Sequence, residues 1–129
     1  MEHIEDDRSV LKLLEAKLTN NGRLLVYVPA FQCLWSDLDE ELKHYRRYLR
    51  RDLKRLARSA GLSVQHSRYV DSLGFFAALG FKILARKLGH VSPRAIRLYD
   101  RFLVPLSRIL DFFLGRLFGK NVYVVASKD

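Results

Sequence analysis

Cysteine is all but missing from this 129-residue chain: Cys33 stands alone, so no internal disulfide can form and a reducing, cytoplasmic setting is expected. Long apolar runs are missing too. Uncharged stretches such as Ser72 to Phe81 stop well short of the roughly 20 apolar residues that a membrane-spanning helix needs, and with no apolar h-region after Met1 secretion is not expected. Acidic residues are scarce, 14 against 23 Lys and Arg, and the resulting formal charge of +9 favours phosphates, anionic lipids or an acidic partner. The seven glycines form no G-x-G-x-G turn, which leaves these residues without the usual cradle for a nucleotide-type cofactor. No internal repeat and no low-complexity tract is present.

What the chain has in quantity is patterned hydrophobic sequence, 49% apolar, enough for one domain that buries roughly two-thirds of its unfolded surface. Asp6 or Asp7 can cap a first helix with Val10, Leu11, Leu14 and Leu18 at helical spacing and Asn20-Asn21-Gly22 as its stop. Arg23 to Val28 is almost wholly apolar, the pattern of a strand covered on both faces, and Pro29 ends it. Ala30 to His44 shows no clean period and reads as a long loop with one helical turn. A second helix sets Tyr48, Leu49, Leu53, Leu56 and Ala60 on one face and closes at Gly61. A strand comes next at about Leu62 to Val70, with Leu62, Val64 and Val70 sharing one side.

Leu73 to Leu88 predicts a very apolar helix interrupted by Gly74 and Gly80. Ser92-Pro93 opens another that runs to about Phe118 with a kink at Pro105. It carries Tyr99, Phe102, Leu106, Ile109, Phe113 and Leu117 on one side and Arg94, Arg97, Arg101 and Arg108 on the other. Asn121 to Ala126 is a last apolar strand. The order is α, β, α, β, α, α, β, and the β-α-β unit from Arg23 to Val70 predicts a parallel crossover and an α/β fold class.

Several segments carry a family resemblance: Met1-Glu2-His3-Ile4-Glu5-Asp6-Asp7, Val28-Pro29-Ala30-Phe31 with Leu34-Trp35-Ser36-Asp37, His44-Tyr45-Arg46-Arg47-Tyr48, Arg97-Leu98-Tyr99-Asp100-Arg101 and Asn121 to Ala126. The first of these look like the LEHI-D-D, VPAF-LWS-D and H-RRY segments of bacterial class I S-adenosylmethionine-dependent methyltransferases, and the last two look like later segments of the same family. The chain resembles the C-terminal half of that family over nearly its whole length. The resemblance implies a partial Rossmann-like methyltransferase sheet of three strands, the fifth, sixth and seventh of the parent fold, with the seventh inserted antiparallel between the other two. It divides the single partial domain into a helix-strand-helix-strand unit at 1–71, a helical-hairpin insertion at 72–118 and a final strand at 119–129. The family's glycine-rich turn and ribose-binding acidic residue would precede everything present here. S-adenosyl-L-methionine, the family's cofactor, is therefore not expected to bind this chain alone, and the first strand is left with an unpaired edge. Self-association, or pairing with a separate N-terminal half, is the expected result.

The site candidates come from chemistry and from that resemblance. His3, beside Glu2 and near Glu5, would lie at the carboxyl end of the missing fourth strand, where open α/β sheets bind ligands; the alternative is a solvated helix start. Glu2, His3, Glu5 and Asp6 are metal-ligand types, but spacing shows no coordination geometry and no metal is expected. Pro29, Phe31 and Trp35 would line the substrate mouth or form a packed apolar corner. His44 could take a proton from a substrate hydroxyl or amine, so His3 and His44 are the catalytic candidates. Arg46, Arg47 and Tyr48 would bind an anionic substrate group, unless Arg46 or Arg47 pairs with Asp37 or Asp39. Cys33 reads as a small loop hydrophobe.

Three functional readings from different classes result. One is the substrate-side portion of a methyltransferase, inactive alone or completed by a partner half. Another is a remnant or mis-started frame with no separate function. The third is a basic amphipathic module whose arginine stripe, with Phe75, Phe76 and Phe81 nearby, contacts an anionic membrane surface or an acidic partner. Nucleic acid is disfavoured because no recognition motif accompanies the charge.

Overall fold

The computed structural model describes residues 1–88 and 104–128, and the side chains of all of these but 81, 83–88 and 104. Helix α1 (Asp7–Lys17) starts where Asp6 accepts a hydrogen bond from the Ser9 amide at 3.0 Å. Asp6 is thus the cap, and Asp7 is free to turn inward, where it is buried. Asn21, in the left-handed region at φ 61°, turns the chain into strand β1 (Arg23–Pro29). A 3-10 turn (Gln32–Leu34) and helix α2 (Asp37–Glu41) come next, so the segment expected as a loop with one helical turn holds two short helical pieces. The Asp39 carboxylate reaches back to the Ser36 amide at 2.9 Å, and this reciprocal cap sustains α2 without any apolar period. Helix α3 (Arg50–Ser59) ends at Gly61, whose φ of 89° suits glycine.

Strand β2 (Ser63–Val70), helix α4 (Ser72–Leu88), helix α5 (Val104–Leu114) and strand β3 (Asn121–Ser127) complete the order. The sheet runs β1-β3-β2, and β3 is antiparallel to both neighbours, with Arg23 opposite Ser127 and Val70 opposite Asn121. β1 and β2 are therefore parallel to each other but do not touch; β3 lies between them, as the family resemblance implied. Helices α1 and α3 cover one face. Leu11, Leu53 and Ala57 pack there on Val26, Val28, Val122, Val124, Ala126 and Tyr69, and full burial of a leucine stabilises the fold by about 2 kcal/mol.

Three expectations are corrected. β1 is not covered on both faces: Val26 and Val28 are buried, whereas Leu25 and Tyr27, on the opposite face, are exposed. The reason is that the helices packed on the described sheet lie chiefly on one side. In β2 a bulge between Val64 and His66 inserts one residue, so the alternation changes parity and Tyr69, not Val70, joins Val64 on the core face opposite Val122. The last helix ends at Leu114 and passes into a turn, short of the expected Phe118, and Leu106, Ile109, Phe113 and Leu117 all face outward. What α5 turns inward is polar: Ser107 is buried, and Asp111 accepts from the amides of Asp71 and Ser72 at 2.7 and 2.8 Å, capping α4. The start at Ser92-Pro93, the stretch before Pro105 and Arg94, Tyr99, Phe102 and the Arg97-Leu98-Tyr99-Asp100-Arg101 segment lie outside the described residues.

Candidate functional site

The carboxyl ends of β1 and β2 and the start of β3 meet along one margin of the sheet. Beyond β1 the chain is strapped to the Arg47-Tyr48 segment: the Tyr48 amide donates to the Pro29 carbonyl at 2.9 Å, and the Phe31 amide donates to the Tyr48 carbonyl at 3.2 Å. The Tyr45 amide donates to the Glu2 carbonyl at 2.7 Å, which fastens the N-terminal segment to the same strap. Backbone hydrogen bonds therefore bring residues 1–7 and 36–48 together at the end of β1.

Asp39 is the centre of this arrangement. Its carboxylate is buried and accepts from Arg47 Nε and Nη2 at 3.0 and 2.9 Å, from His44 Nδ1 at 2.8 Å and from Ser36 Oγ at 3.2 Å. Burial alone would raise its pKa, but the Arg47 and His44 hydrogen bonds outweigh it and hold the carboxyl at about 2. An ionised carboxylate only accepts, so His44 donates to it from Nδ1, and in the neutral ring the lone pair then lies on Nε2. His3 is set the same way, its Nδ1 donating to the Leu42 carbonyl at 2.9 Å, and the two imidazole rings meet edge to face at 4.6 Å.

A cleft of about 350 Å³ opens here, and His3, Pro29, His44 and Arg47 line it together with Glu2, Tyr27, Leu38, Asp39, Lys120 and Asn121. Arg46 and Tyr48 lie elsewhere, on a neighbouring cleft of about 480 Å³ with Gln32, Asp52 and Leu56. There Asp7 accepts from Arg46 Nη1 at 3.1 Å and from the Tyr48 hydroxyl at 2.8 Å. Burial, reinforced by the Asp7 carboxylate, pushes the Tyr48 phenol far above its usual range, so it stays a neutral donor. Phe31 turns from both clefts and stacks on Tyr69 and Phe75, at centroid distances of 4.8 and 5.1 Å, and the half-buried Trp35 lines neither cleft. Cys33 is exposed.

Of the pairings weighed from sequence, Arg47 with Asp39 forms, whereas Arg46 pairs with Asp7. Sequence reasoning passed over Lys120 and Asn121. Their signal was the antiparallel last strand, whose start has to lie beside the carboxyl ends of the other two. The described glycines do not form a cofactor cradle. A Cβ at Gly119 would lie 2.4 Å from the Val70 carbonyl oxygen and one at Gly115 2.7 Å from that of Tyr69, so both serve close packing of the chain on itself. Gly22 and Gly61 serve turns, and Gly74 lies against Asp71. Gly115 and Gly119 thus supply no backbone cradle of the kind that the family resemblance assigns to its cofactor.

No family model and no curated protein matches the chain. Among solved structures it is similar to phosphoethanolamine N-methyltransferase 2 of Haemonchus contortus in complex with S-adenosyl-L-methionine, at 16% identity and a TM-score of 0.50. The match covers 98% of this chain and 31% of that protein, so the chain spans about a third of its length. At this identity the likeness is one of fold: the chain has an α/β, methyltransferase-like fold.

Proposed function

We propose that this chain is the C-terminal, acceptor-side portion of an S-adenosylmethionine-dependent methyltransferase, inactive by itself and completed by a glycine-rich half that binds the cofactor. The observation that supports this most is the flank of β1. Among the described residues no strand pairs with its outer edge, and Leu25 and Tyr27, on the sheet face away from the core, are 63% and 55% accessible, with Tyr27 lining the same cleft as His3 and His44. An open edge is a template for another strand, and the apolar face beside it is a surface for that partner's covering elements, from a second half or a second copy.

In this reading the cleft takes the methyl acceptor. His44, fixed by Asp39, presents Nε2 as a hydrogen-bond acceptor for the acceptor's hydroxyl or amine, and Pro29 and Tyr27 form the wall. Arg47 is held by Asp39 and by the Ala30 carbonyl, so it organises the cleft floor. Arg46 and Tyr48, both bound to Asp7, serve the neighbouring cleft. Isothermal titration of the chain with S-adenosylmethionine should show no saturable binding, and micromolar binding by the chain alone would overturn the reading.

The outward face of α5 favours a second reading, peripheral contact with an anionic membrane. Phe112 and Phe113 are 71% and 69% accessible, Leu106, Ile109 and Leu117 are exposed with them, and the exposed Arg108, Arg116 and Lys120 flank this stripe. Among the described residues no helix is long and apolar enough to cross a membrane, so such contact would be interfacial. Flotation with anionic vesicles at low salt checks it, and absence of the protein from the lipid fraction would rule it out.

A further inference from the structure

Glu2 and His3 belong to the first turn of the chain and His44 to the strap after α2, a separation that hides their proximity from any spacing argument. We propose that these three side chains form a binding site for a divalent first-row metal ion of the zinc type. One donor atom from each lies within 4.8 Å of the other two. An ion with bonds of about 2.0–2.2 Å holds tetrahedral ligands roughly 3.3 Å apart. Closing the cluster therefore needs about 1 Å of side-chain movement. The backbone is already in place, pinned by the Tyr45 amide on the Glu2 carbonyl.

The orientation of the imidazoles carries the inference beyond proximity. Each ring uses Nδ1–H on a fixed acceptor, His44 on the Asp39 carboxylate and His3 on the Leu42 carbonyl, so the neutral tautomer of each turns its lone pair to Nε2. A carboxylate or carbonyl behind the ring is the outer-shell arrangement that fixes tautomer and raises basicity in histidine metal ligands. Glu2 supplies the negative charge; its Oε1 is 3.9 Å from His3 Nε2, and its Oε2 pairs with the Met1 ammonium at 3.3 Å. Asp6 does not contribute, since it caps α1. Three protein ligands leave coordination positions open toward the cleft. Two imidazoles with one carboxylate select zinc, cobalt or iron(II) over magnesium or calcium.

The test stands apart from the methyl-transfer reading, because metal binding is measured on the chain alone without cofactor or acceptor; an ion held here would take the His44 Nε2 that the metal-free cleft offers to the acceptor. The untagged full chain is titrated with zinc chloride calorimetrically, and with cobalt(II) while visible d–d absorption is recorded. One zinc per chain is expected. His3→Gln, at an exposed position, and Glu2→Gln, at a partly covered one outside the buried core, should each weaken binding at least about 10-fold, and Asp39→Asn roughly 10- to 100-fold through His44. His66→Gln, on β2 outside the cluster, should bind zinc as the wild type does. Zinc should also raise the Tm of the wild type and not that of His3→Gln. Absence of saturable binding, unchanged affinity in His3→Gln, or an equal loss in His66→Gln would overturn the proposal and leave the methyl-transfer reading untouched.

Discussion

Replacing Asp39 by asparagine removes the charge on which Arg47, His44 and Ser36 converge, while keeping the side chain's size. Two effects add. The first is the loss of a partner for Arg47, whose guanidinium is largely buried, and breaking a buried pair from one side costs about 3 kcal/mol or more. The second depends on pH. Asp39 has its carboxyl lowered from 3.8 to about 2 by the Arg47 and His44 hydrogen bonds, against the opposing effect of burial. A tenfold change in proton affinity is worth about 1.4 kcal/mol, which makes this preference about 2 kcal/mol. Because the folded protein binds this proton less tightly than the unfolded chain, the stabilisation is complete above 3.8 and disappears as the pH falls through about 2. Urea unfolding of wild type and Asp39→Asn, followed by Trp35 fluorescence and circular dichroism across acid pH, measures both. Trp35 lies between the 3-10 turn and α2, so it reports on this region. The stability gap should be about 3 kcal/mol at neutral pH and shrink by about 2 kcal/mol in acid. A neutral-pH gap below about 1 kcal/mol, or one that stays constant with pH, would refute the central role given to Asp39.

Gly119→Ala should destabilise the fold by about 2 kcal/mol or more, since its Cβ would meet the Val70 backbone at 2.4 Å, whereas Gly80→Ala, with open space around it in α4, should stabilise by about 0.5–1 kcal/mol; chemical denaturation separates the two. Leu53→Ala, at a fully buried position on α3, should cost about 2–5 kcal/mol in the same assay. The double variant Leu25→Lys with Tyr27→Lys should lower self-association in size-exclusion chromatography with little change in stability, because both side chains are exposed; an unchanged elution profile would mean that this face is not the adhesive one.

The sequence made the elements easier to read than their environments. Hydrophobic period and caps located α1, β1, α3, β2, α4 and β3, because those signals are local. The place of β3 between β1 and β2 came through the family resemblance, since a strand's pattern does not name its neighbours. The β2 bulge was invisible because Val64, Gln65 and His66 read equally well as simple alternation, and only pairing with β3 changes the parity. On α5 the apolar residues were read correctly and their direction was not: Ser107 and Asp111 make the inward contacts by capping α4. At the site, Arg47 with Asp39 was legible at eight residues' separation, while Arg46 with Asp7 and His44 with Glu2 join segments about forty residues apart and depend on the tertiary strap.

The strand that holds the sheet together is the last one made. Among the described residues β1 and β2 have no hydrogen bonds with each other, so until β3 has been synthesised nothing joins these two strands. Arg23 waits for Ser127, and the apolar faces of α1 and α3 wait with it. Pairing across such long sequence separations costs loop-closure entropy before any contact forms, so the position of β3 makes sheet formation the slow step of folding.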